Sequence, residues 1–311
     1  MTDLQPATEL DPARTAVARR LPGRIAFLGF GLIGGSVAMA LREAAYAGEL
    51  VAWTPKGSGP REGKQRGFLD EAAADARAAL HGTDLIILAG PPLEMLGTLR
   101  ALAGELAEDI TPGATITDVV STKGMLVSEA SSAGLRFVGG HPMAGRESTG
   151  VAAATADLFI GRPWVIVPAS SATAEDIDRV EALATAVGAR SIRMTAADHD
   201  AAVASISHLP LVVAAALVES VAGNTDTSAW VAAQVLAASG WRDTTRLARG
   251  DPEMGAGILA TNSALVADRL AGVRDALDSW IGALRADGVD AEALRARLEA
   301  ARNALGHEAD P

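Results

Sequence analysis

The chain has 311 residues, of which 49% are hydrophobic and 21% are charged, with a formal net charge of −11 and no cysteine. This length exceeds what one hydrophobic core usually supports, so two domains of roughly 150 residues are expected. The negative charge opposes nucleic-acid binding, and the lack of cysteine excludes disulfides, thiolate nucleophiles and cysteine-based zinc sites.

The first 21 residues mix acidic and basic side chains and contain no apolar run. They resemble neither a secretory signal nor a transit peptide, so we expect a mobile tail over residues 1–21 of a cytoplasmic protein. The longest apolar run, residues 209–218, is half of the ~20 residues that a membrane-spanning helix needs, and it contains Pro210. This run predicts a buried core helix and no membrane association.

Between residues 22 and 195, short apolar runs alternate with Ala-rich helical stretches, which is typical of βαβ units. Continuous apolar strands of this kind favour a parallel sheet that is covered by helices on both faces. We therefore predict an α/β fold, with a doubly wound Rossmann-type domain over residues 22–195. The predicted strands are Ile25–Leu28, Leu50–Trp53, Leu85–Leu88, Thr115–Thr117, Phe137–Val138, Trp164–Val167 and Ser191–Met194.

The pattern changes after residue 195, because no strand-like run follows and helical periodicity continues. Residues 196–311 are therefore predicted to form an all-α domain. Asp251 and Pro252 supply an N-cap and a first-turn proline, and apolar residues then recur at helical spacing to Leu284. The predicted helix exceeds about thirty residues, or roughly 45 Å. One small domain would not cover it, so we predict a homodimer through the helical domain.

A glycine-rich turn follows the first predicted strand and opens a helix. This context is typical of a dinucleotide-binding turn: the first glycine makes the tight turn, the second admits the pyrophosphate and the third lets helix and strand pack closely. The N–H groups at the start of the helix would bind the phosphates. The alternative is a turn of the same shape without a ligand. The residues predicted to bind a nicotinamide cofactor here are Gly29, Gly31, Leu32, Ile33 and Gly34.

The end of the second strand carries no carboxylate, although an acidic residue there would bind the ribose 2′-hydroxyl of NAD. Thr54 and Lys56 suit a 2′-phosphate better, so the cofactor prediction leans to NADP over NAD, with a solvated basic loop as the alternative. Pro91 follows the third strand and would form either a wall beside the cofactor or a simple loop. Asp118, at the exit of the fourth strand, is assigned to the same cofactor site.

A single histidine, His141, lies in a Gly-Gly-His-Pro segment at residues 139–142, where a rigid backbone would position a general base. The alternative is a structural histidine. His208 precedes Pro210 and is equally compatible with a core position. Arg242 and Arg246 could grip a substrate carboxylate, which an acidic protein needs for an anionic substrate, or could form surface salt bridges.

Taken together, the motifs resemble the prephenate/arogenate (cyclohexadienyl) dehydrogenase family over residues 24 to about 285. The most specific are Gly-Gly-His-Pro-Met-Ala-Gly, Gly-Arg-Pro-Trp and Arg-Asp-Thr-Thr-Arg-Leu-Ala. The segments that carry the resemblance are Gly29–Ser36, Thr117–Gly124, His141–Gly145 with Glu147 and Gly150, Leu158–Pro168, Ser207–Pro210 and Arg242–Met254.

The resemblance implies that hydride passes from C4 of a cyclohexadienyl ring to the nicotinamide while the ring carboxylate leaves as CO2, driven by aromatisation and without a metal. It implies His141 as the base on the C4 hydroxyl, oriented by Ser121. It also implies Arg246 as the binder of a substrate carboxylate, with Glu147 and His208 lining the pocket.

Two departures leave parts of this function open. Relatives that favour prephenate often carry a second histidine where this chain has Leu211, so the choice between prephenate and arogenate is not fixed. The acidic residue after the second strand is also missing, which affects the cofactor. We expect the monofunctional form, since no chorismate mutase extension or regulatory domain is recognisable.

Two rival functions remain. A β-hydroxyacid or 6-phosphogluconate-type dehydrogenase shares the two-domain plan but usually uses a catalytic lysine in its helical domain, and this chain has no lysine after residue 195. The second rival is a non-catalytic module that binds NADP and in which His141 is only structural. Hydride transfer with any substrate would exclude it.

Overall fold

The computed structural model describes residues 11–145, 148–223 and 228–306. It divides into two compact units, residues 1–263 and 264–311. The strands of the described part are β1 (Arg24–Leu28), β2 (Glu49–Trp53), β3 (Glu71–Ala72), β4 (Leu85–Leu88), β5 (Thr115–Asp118), β6 (Phe137–Pro142), β7 (Pro163–Pro168) and β8 (Arg190–Arg193). The helices are α1 (Pro12–Ala18), α2 (Leu32–Glu43), α3 (Ser58–Gln65), α4 (Ala76–Leu80), α5 (Pro92–Ala103), α6 (Gly124–Ser132), α7 (Ala174–Ala186), α8 (Ala196–Val203), α9 (Leu209–Ala222), α10 (Ser228–Leu236), α11 (Ser239–Thr244), α12 (Pro252–Thr261), α13 (Ser263–Arg285) and α14 (Ala291–Ala304).

The eight strands form one sheet in the order β3-β2-β1-β4-β5-β6-β7-β8. The seven predicted strands are present, and the short β3 at the edge is an addition. Neighbouring strands are parallel except for β6 and β7, which are antiparallel. The prediction of a parallel sheet is therefore wrong at β7. A parallel return usually needs a helical crossover, and the described part of the β6–β7 connection contains only the 3-10 turn Val151–Ala153.

Apolar side chains from both faces of the sheet are buried, which explains the continuous apolar runs of the central strands. On one face β1 packs with α2 and α7, through residues such as Leu41 and Leu183. On the other face β4 packs with α4, α5 and α6, through residues such as Leu80 and Leu99. Each buried leucine contributes roughly 1.5–3 kcal/mol. The doubly wound Rossmann-type arrangement is thus confirmed.

The N-terminal segment is ordered where the structure describes it. Helix α1 is capped by Asp11 and packs against α7, with Ala18 fully buried. Arg14 donates a hydrogen bond from Nε to the carbonyl oxygen of Ala186 at 3.0 Å. The prediction of a mobile tail over residues 1–21 is therefore wrong for residues 12–21, because a docked amphipathic turn cannot be recognised from seven residues. Residues 1–10 lie outside the described part.

Helical structure begins at residue 196, as predicted, but compact packing continues to residue 263 instead of ending at 195. Helices α8 and α9 join through a π-helical turn, Ala204–His208. Pro210 lies in the first turn of α9 and has no N–H to donate. The π-helical turn before it accommodates the missing backbone hydrogen bond.

The prediction that residues 209–218 form a buried core helix is wrong for the single chain, because Ala214 is the one residue of α9 that is buried. The continuous helix Ala196–Ala222 is long and apolar enough to cross a membrane by length and composition alone. Its most apolar window has a mean hydropathy of 2.1, and only 22% of that window is buried. The helix thus leaves an apolar surface that the described part of one chain does not cover.

The long helix predicted after Asp251 is interrupted at Asn262, which ends α12 with φ −134° and ψ 29°. The prediction of one helix of more than thirty residues is therefore wrong, and α13 has 23 residues. The interruption arises from contacts distant in sequence, since Asn262 Nδ2 donates to the carbonyl oxygen of Asp200. In the second unit, the guanidinium of Arg297 on α14 lies 3.9 Å from the ring centroid of Trp280 on α13.

Candidate active site

The carboxyl ends of four neighbouring strands lie in register at one edge of the sheet. Leu28 at the end of β1 is paired with Trp53 of β2 and Leu88 of β4, and Leu88 is paired with Asp118 of β5. The residues predicted for cofactor binding follow these strand ends. In open α/β sheets this edge is where ligands bind.

The turn after β1 requires glycine at its first position. Gly29 has φ +95°, and a Cβ built there would lie 2.5 Å from the carbonyl oxygen of Ala89. A Cβ on Gly34 would come within 3.2 Å of the Ala89 side chain, so α2 packs close to the end of β4. The two glycines therefore hold the start of α2 against the strand ends.

The start of α2 leaves hydrogen-bond donors open. Gly31 is the N-cap and offers no side-chain cap, so the first N–H groups of the helix, at Leu32 and Ile33, receive no such bond. A Cβ on Gly31 would meet nothing within 4 Å, so the space beside this turn is open. An open turn lined with N–H groups at a helix N-terminus fits the pyrophosphate of a dinucleotide.

The loop after β2 is basic and free of carboxylates from residue 54 to residue 61. Thr54 Oγ1 accepts a hydrogen bond from the N–H of Gly57 at 2.9 Å, which shapes the loop. Lys56 is exposed, and Arg61 donates to its carbonyl oxygen at 3.2 Å. The loop that would face the ribose thus carries the basic side chains of Lys56 and Arg61. After β4, Pro91 is the N-cap of α5.

Asp118 does not present its carboxylate to the cofactor turn. Its side chain is fully buried, forms an ion pair with Lys123 Nζ, and accepts hydrogen bonds from the N–H groups of Val120 and Gly140 at 2.9 Å each. The carboxylate is thus occupied by protein groups, and the assignment of Asp118 to the cofactor site stays a prediction. Burial raises the pKa of Asp118 and lowers that of Lys123, while the attraction between them opposes both shifts. The pair joins β5 to β6 beside the candidate base.

The two glycines before His141 make room for this buried pair. A Cβ on Gly139 would lie 3.0 Å from Lys123 Cδ, and a Cβ on Gly140 would lie 2.5 Å from the carbonyl oxygen of Asp118. No other residue would allow β5 and β6 to approach so closely without a shift. The Gly-Gly pair thus fixes the backbone from which the His141 side chain projects.

His141 lies on β6 and is partly exposed. Its Nδ1 is 2.8 Å from Nε2 of His199, and Nδ1 of His199 is 2.7 Å from Oδ1 of Asp200. Burial lowers the pKa of His141 well below its usual range, and the neighbouring His199, Lys123 and His208 lower it further. The His141 ring is therefore neutral near pH 7 and can accept a proton.

His208 lies at the end of the π-helical turn and is 1% exposed. Its Nδ1 is 3.2 Å from Nδ2 of Asn262, and its Nε2 is buried without a hydrogen-bond partner among the described residues. Burial lowers the pKa of His208 to about 4, a shift that Asp200 opposes. The amide of Asn262 is a donor, so His208 Nδ1 accepts and its Nε2 carries the proton.

The remaining predicted residues are more scattered. Ser121 is partly exposed between β5 and α6, whereas the group at Nδ1 of His141 is His199, so the role of Ser121 in orienting His141 stays a prediction. Arg242 is exposed on α11, and Arg246 begins the 3-10 turn Arg246–Arg249, which packs against α9. Glu147 lies outside the described residues.

Sequence reasoning missed His199, Asp200 and Asn262. The adjacent His199 and Asp200 offered one signal, since the chain has five histidines and this one has a neighbouring carboxylate. Their link to His141 depends on a contact across 58 residues, for which the sequence alone offers no pattern.

Comparison with known proteins extends along most of the chain. The family described as "Prephenate dehydrogenase, nucleotide-binding domain" matches residues 37–193. The family described as "Prephenate dehydrogenase, dimerization domain" matches residues 195–299. The two matches meet where the α/β part gives way to helices.

Two curated relatives are similar at the level of sequence. A prephenate dehydrogenase of Bacillus subtilis is 30% identical over 260 residues, which cover 83% of this chain and 67% of the relative. A cyclohexadienyl dehydrogenase of Zymomonas mobilis is 30% identical over 243 residues, which cover 77% of this chain and 80% of the relative.

Solved structures agree with these sequences. Synechocystis arogenate dehydrogenase superposes with a TM-score of 0.72 at 32% identity, covering 91% of this chain and 99% of that one. Prephenate dehydrogenase from A. aeolicus, in complex with hydroxyphenyl propionate and NAD+, superposes with a TM-score of 0.80 at 26% identity, covering 91% and 96%.

Proposed function

The chain belongs to the prephenate dehydrogenase family, and on that premise we propose that it oxidises and decarboxylates prephenate, arogenate or both. The products are 4-hydroxyphenylpyruvate from prephenate and tyrosine from arogenate. The observation that carries the proposal is a neutral histidine, His141, at the sheet edge that also bears an open dinucleotide-type turn. A cytoplasmic location belongs to the same proposal and is tested by cell fractionation.

In this proposal His141 is the catalytic base. A bound nicotinamide nucleotide supplies the hydride acceptor, and aromatisation of the ring drives the loss of CO2. His141 Nε2 takes the proton of the C4 hydroxyl as the C4–H bond breaks. A histidine with a lowered pKa stays unprotonated at neutral pH, so it is ready for this step. General base catalysis of this kind contributes about 10²–10⁴-fold in rate.

The turn at Gly29, Gly31 and Gly34 holds the nucleotide pyrophosphate, with N–H groups of Leu32 and Ile33 as donors. Thr54 and Lys56 lie on the loop that meets the adenosine ribose, and Pro91 borders the nicotinamide side. The absence of a carboxylate between residues 54 and 61 supports a preference for NADP over NAD.

A dicarboxylate substrate needs local positive charge, because the chain as a whole carries −11. Arg246 binds a substrate carboxylate, and Arg242 assists it on the preceding helix. His208 lines the pocket in this proposal, and its buried Nε2 has no hydrogen-bond partner among the described residues. Ser121 and Glu147 complete the proposed pocket.

The test is the formation of reduced cofactor at 340 nm, measured with prephenate and with arogenate, each against NAD and NADP. Wild type should turn over at least one pair. His141→Asn should lower kcat by at least about 10²-fold while the nucleotide Kd stays unchanged. His81→Asn is the matched control, because His81 is an exposed histidine outside the site. Wild type without turnover on either substrate would refute the proposed function.

The cofactor preference is tested separately. Lys56→Ala should raise the Kd of NADP about tenfold and leave that of NAD within twofold, because only NADP carries the 2′-phosphate. Arg20→Ala, at another exposed cation, should change neither value. Equal weakening of both nucleotides would contradict the 2′-phosphate assignment.

We also propose that two copies pair through the helical part. Helix α10 exposes three large apolar side chains, Val231, Val235 and Leu236, of which Val235 is 84% and Leu236 80% exposed. Apolar surfaces of this kind are unusual in a monomer and mark protein–protein contacts. Since His199 lies on α8 and His208 immediately precedes α9, dimerisation through the helical part would also stabilise the segments that support the site.

Sedimentation analysis should find a dimer for wild type. Replacing both Val235 and Leu236 by Glu should produce monomers, because two charges would be buried at the interface. Leu93→Glu, on an exposed position of α5 in the α/β part, should leave the dimer intact. A monomeric wild type would contradict the proposal.

A further inference from the structure

Three side chains connect the candidate base to the interior of the protein. His141 Nδ1 is 2.8 Å from His199 Nε2, and the two rings meet at 76° with their centroids 5.1 Å apart. His199 Nδ1 is in turn 2.7 Å from Asp200 Oδ1. The three groups therefore form one hydrogen-bonded chain that leads away from the exposed side of His141.

The carboxylate of Asp200 sets the order of donors and acceptors from its end of these three groups. An ionised carboxylate only accepts, so His199 must carry its proton on Nδ1. With a single proton on its ring, His199 accepts at Nε2 and His141 donates from Nδ1, which is the arrangement on which the inference rests. The proton-free nitrogen of His141 is thus Nε2, which makes no hydrogen bond with any residue that the structure describes. A base needs this tautomer to receive a proton from a ligand.

Asp200 is anchored on several sides. Its Oδ1 accepts from the N–H of Lys123 at 2.8 Å and its Oδ2 accepts from the N–H of Gly124 at 2.7 Å, at the start of α6. Its carbonyl oxygen accepts from Asn262 Nδ2 at 2.9 Å. The positive end of α6 and these donors favour the ionised form of Asp200. The carboxylate that orders the chain is therefore itself held in place.

His199 is held just as firmly. It is 1% exposed and lies in the first turn of α8, whose N-cap is Thr195. Thr195 Oγ1 accepts from the N–H of Asp198 at 3.1 Å, which fixes the start of the helix. A buried ring held at both nitrogens has no freedom to change its tautomer without breaking a bond.

We propose that His199, held by Asp200, is a positioning residue that keeps the His141 ring in the tautomer and orientation in which Nε2 receives the substrate proton. The proposal rests on the proposed function of His141 as the base. As His141 gains the proton, its Nδ1–H bond to His199 becomes charge-assisted and strengthens. His199 thereby stabilises the developing imidazolium without touching the substrate.

His199 is the group placed to accept a hydrogen bond from a protonated His141 ring, because the neighbouring cations oppose the positive charge on that ring. Lys123 of the β5–α6 connection is paired with Asp118, and its ammonium opposes a positive charge on His141. His208 of the π-helical turn does the same if protonated. Asp200 is the carboxylate that faces the chain from α8, and it acts through His199.

The decisive variants are His199→Leu and His199→Gln. Leucine removes the acceptor, whereas the glutamine carbonyl can accept from His141 Nδ1 near the position of the lost Nε2. We expect His199→Leu to lower kcat on the order of 10²-fold, with KM and the nucleotide Kd within about threefold of wild type. His199→Gln should recover kcat to within about tenfold. Thermal unfolding of each variant shows whether it is folded.

A second measurement does not require turnover. Nitrogen-15 NMR of histidine side chains in the resting protein distinguishes a proton on Nδ1 from one on Nε2. Wild-type His141 should be protonated on Nδ1, and His199→Leu should lose this preference. His81→Leu, at an exposed histidine, is the matched control and should change neither kcat nor the His141 signals.

The outcomes separate this inference from the proposed function. An inactive wild type that still shows His141 protonated on Nδ1 refutes the function and keeps the proton arrangement. Wild-type His141 protonated on Nε2 overturns the inference whatever the activity. A folded His199→Leu with unchanged kcat, or a folded His199→Gln as slow as the leucine variant, also overturns it. If the leucine variant does not fold, the wild-type spectrum and the glutamine variant decide.

Discussion

The glycine turn after β1 and the histidine chain behind β6 lie in the same unit, but they are built in different ways. The turn uses residues 29–34 and presents backbone N–H groups to an open space. The chain joins groups that are far apart in sequence: 58 residues separate His141 from His199, and 77 separate Asp200 from Lys123, whose backbone N–H it accepts. A binding site for a common cofactor can be local, whereas a base with a defined tautomer needs partners from several elements.

The two regions should also respond differently to substitution. The histidine chain contains buried charges and hydrogen bonds whose removal leaves a partner unsatisfied, so its variants should lose stability and activity together. The turn is partly open, so one of its glycines should affect binding without affecting stability.

Lys123→Met should have the largest effect on stability. Both members of the Lys123–Asp118 pair are fully buried, and methionine would leave the carboxylate without its counter-ion. Breaking such a pair costs about 3–5 kcal/mol. Urea unfolding at pH 7 measures the change in the free energy of unfolding.

The control for this prediction is the double variant Lys123→Met with Asp118→Asn. It removes both charges, so it should recover part of the lost stability even though the hydrogen bonds to Val120 and Gly140 are rearranged. A double variant that is less stable than Lys123→Met would show that an unpaired charge is not the cause.

Gly29→Ala should destabilise the turn by about 3 kcal/mol. An alanine at φ +95° is strained, and its Cβ would clash with the carbonyl oxygen of Ala89 at 2.5 Å. Nucleotide binding should fall with it, because the start of α2 would shift. Thermal and urea unfolding measure the loss, and Gly97→Ala, at a helical glycine whose Cβ would meet nothing within 4 Å, should not reproduce it.

The same contrast explains what the sequence could predict. The turn at residues 29–34, the central strands and the change to helices at 196 depend on local patterns, and each was predicted. The interruption at Asn262 depends on Asp200, which is 62 residues away. The apolar periodicity continues through residue 262, so the sequence did not predict the break. The antiparallel β7 and the docked α1 likewise arise from packing between distant segments, which a single sequence does not reveal.

The candidate site likewise has features that the sequence predicted and features that it did not. His141 was predicted because the glycines beside it mark a rigid backbone. The contact of its Nδ1 with His199 was not predicted, since the resemblance named Ser121 and no local pattern joins residues 141 and 199. Asp118 was assigned to the cofactor from its place at a strand end, and nothing in the sequence indicated that its carboxylate is buried and paired with Lys123.

Lowering the pH should reduce the stability of the region around His208 more than that of the glycine turn after β1. The folded pKa of His208 is about 4, below the ordinary value of 6.5, so the unfolded chain binds more protons between these two pH values. Its contribution to stability is therefore present above about pH 6.5 and is lost as the pH falls toward 4. By linkage the loss between pH 7 and pH 5 is about 2 kcal/mol.

This contribution is isolated by comparing variants. His208→Gln cannot titrate, so its free energy of unfolding should fall less steeply between pH 7 and pH 5 than that of wild type. His81→Gln, at an exposed histidine, should keep the wild-type slope. Parallel slopes for wild type and His208→Gln would contradict the assignment of the pH dependence to this ring.

Gly31→Ala should have the smallest effect on stability and is the clearest test of the turn. Its Cβ would meet nothing within 4 Å, so the free energy of unfolding should change by less than about 1 kcal/mol. The same methyl group would stand beside the open N-terminus of α2, where the nucleotide pyrophosphate must approach the backbone. The nucleotide Kd, measured by calorimetry, should rise about tenfold or more. If Gly31→Ala binds as tightly as wild type, the pyrophosphate does not lie against Gly31, and the open space at this turn has another purpose.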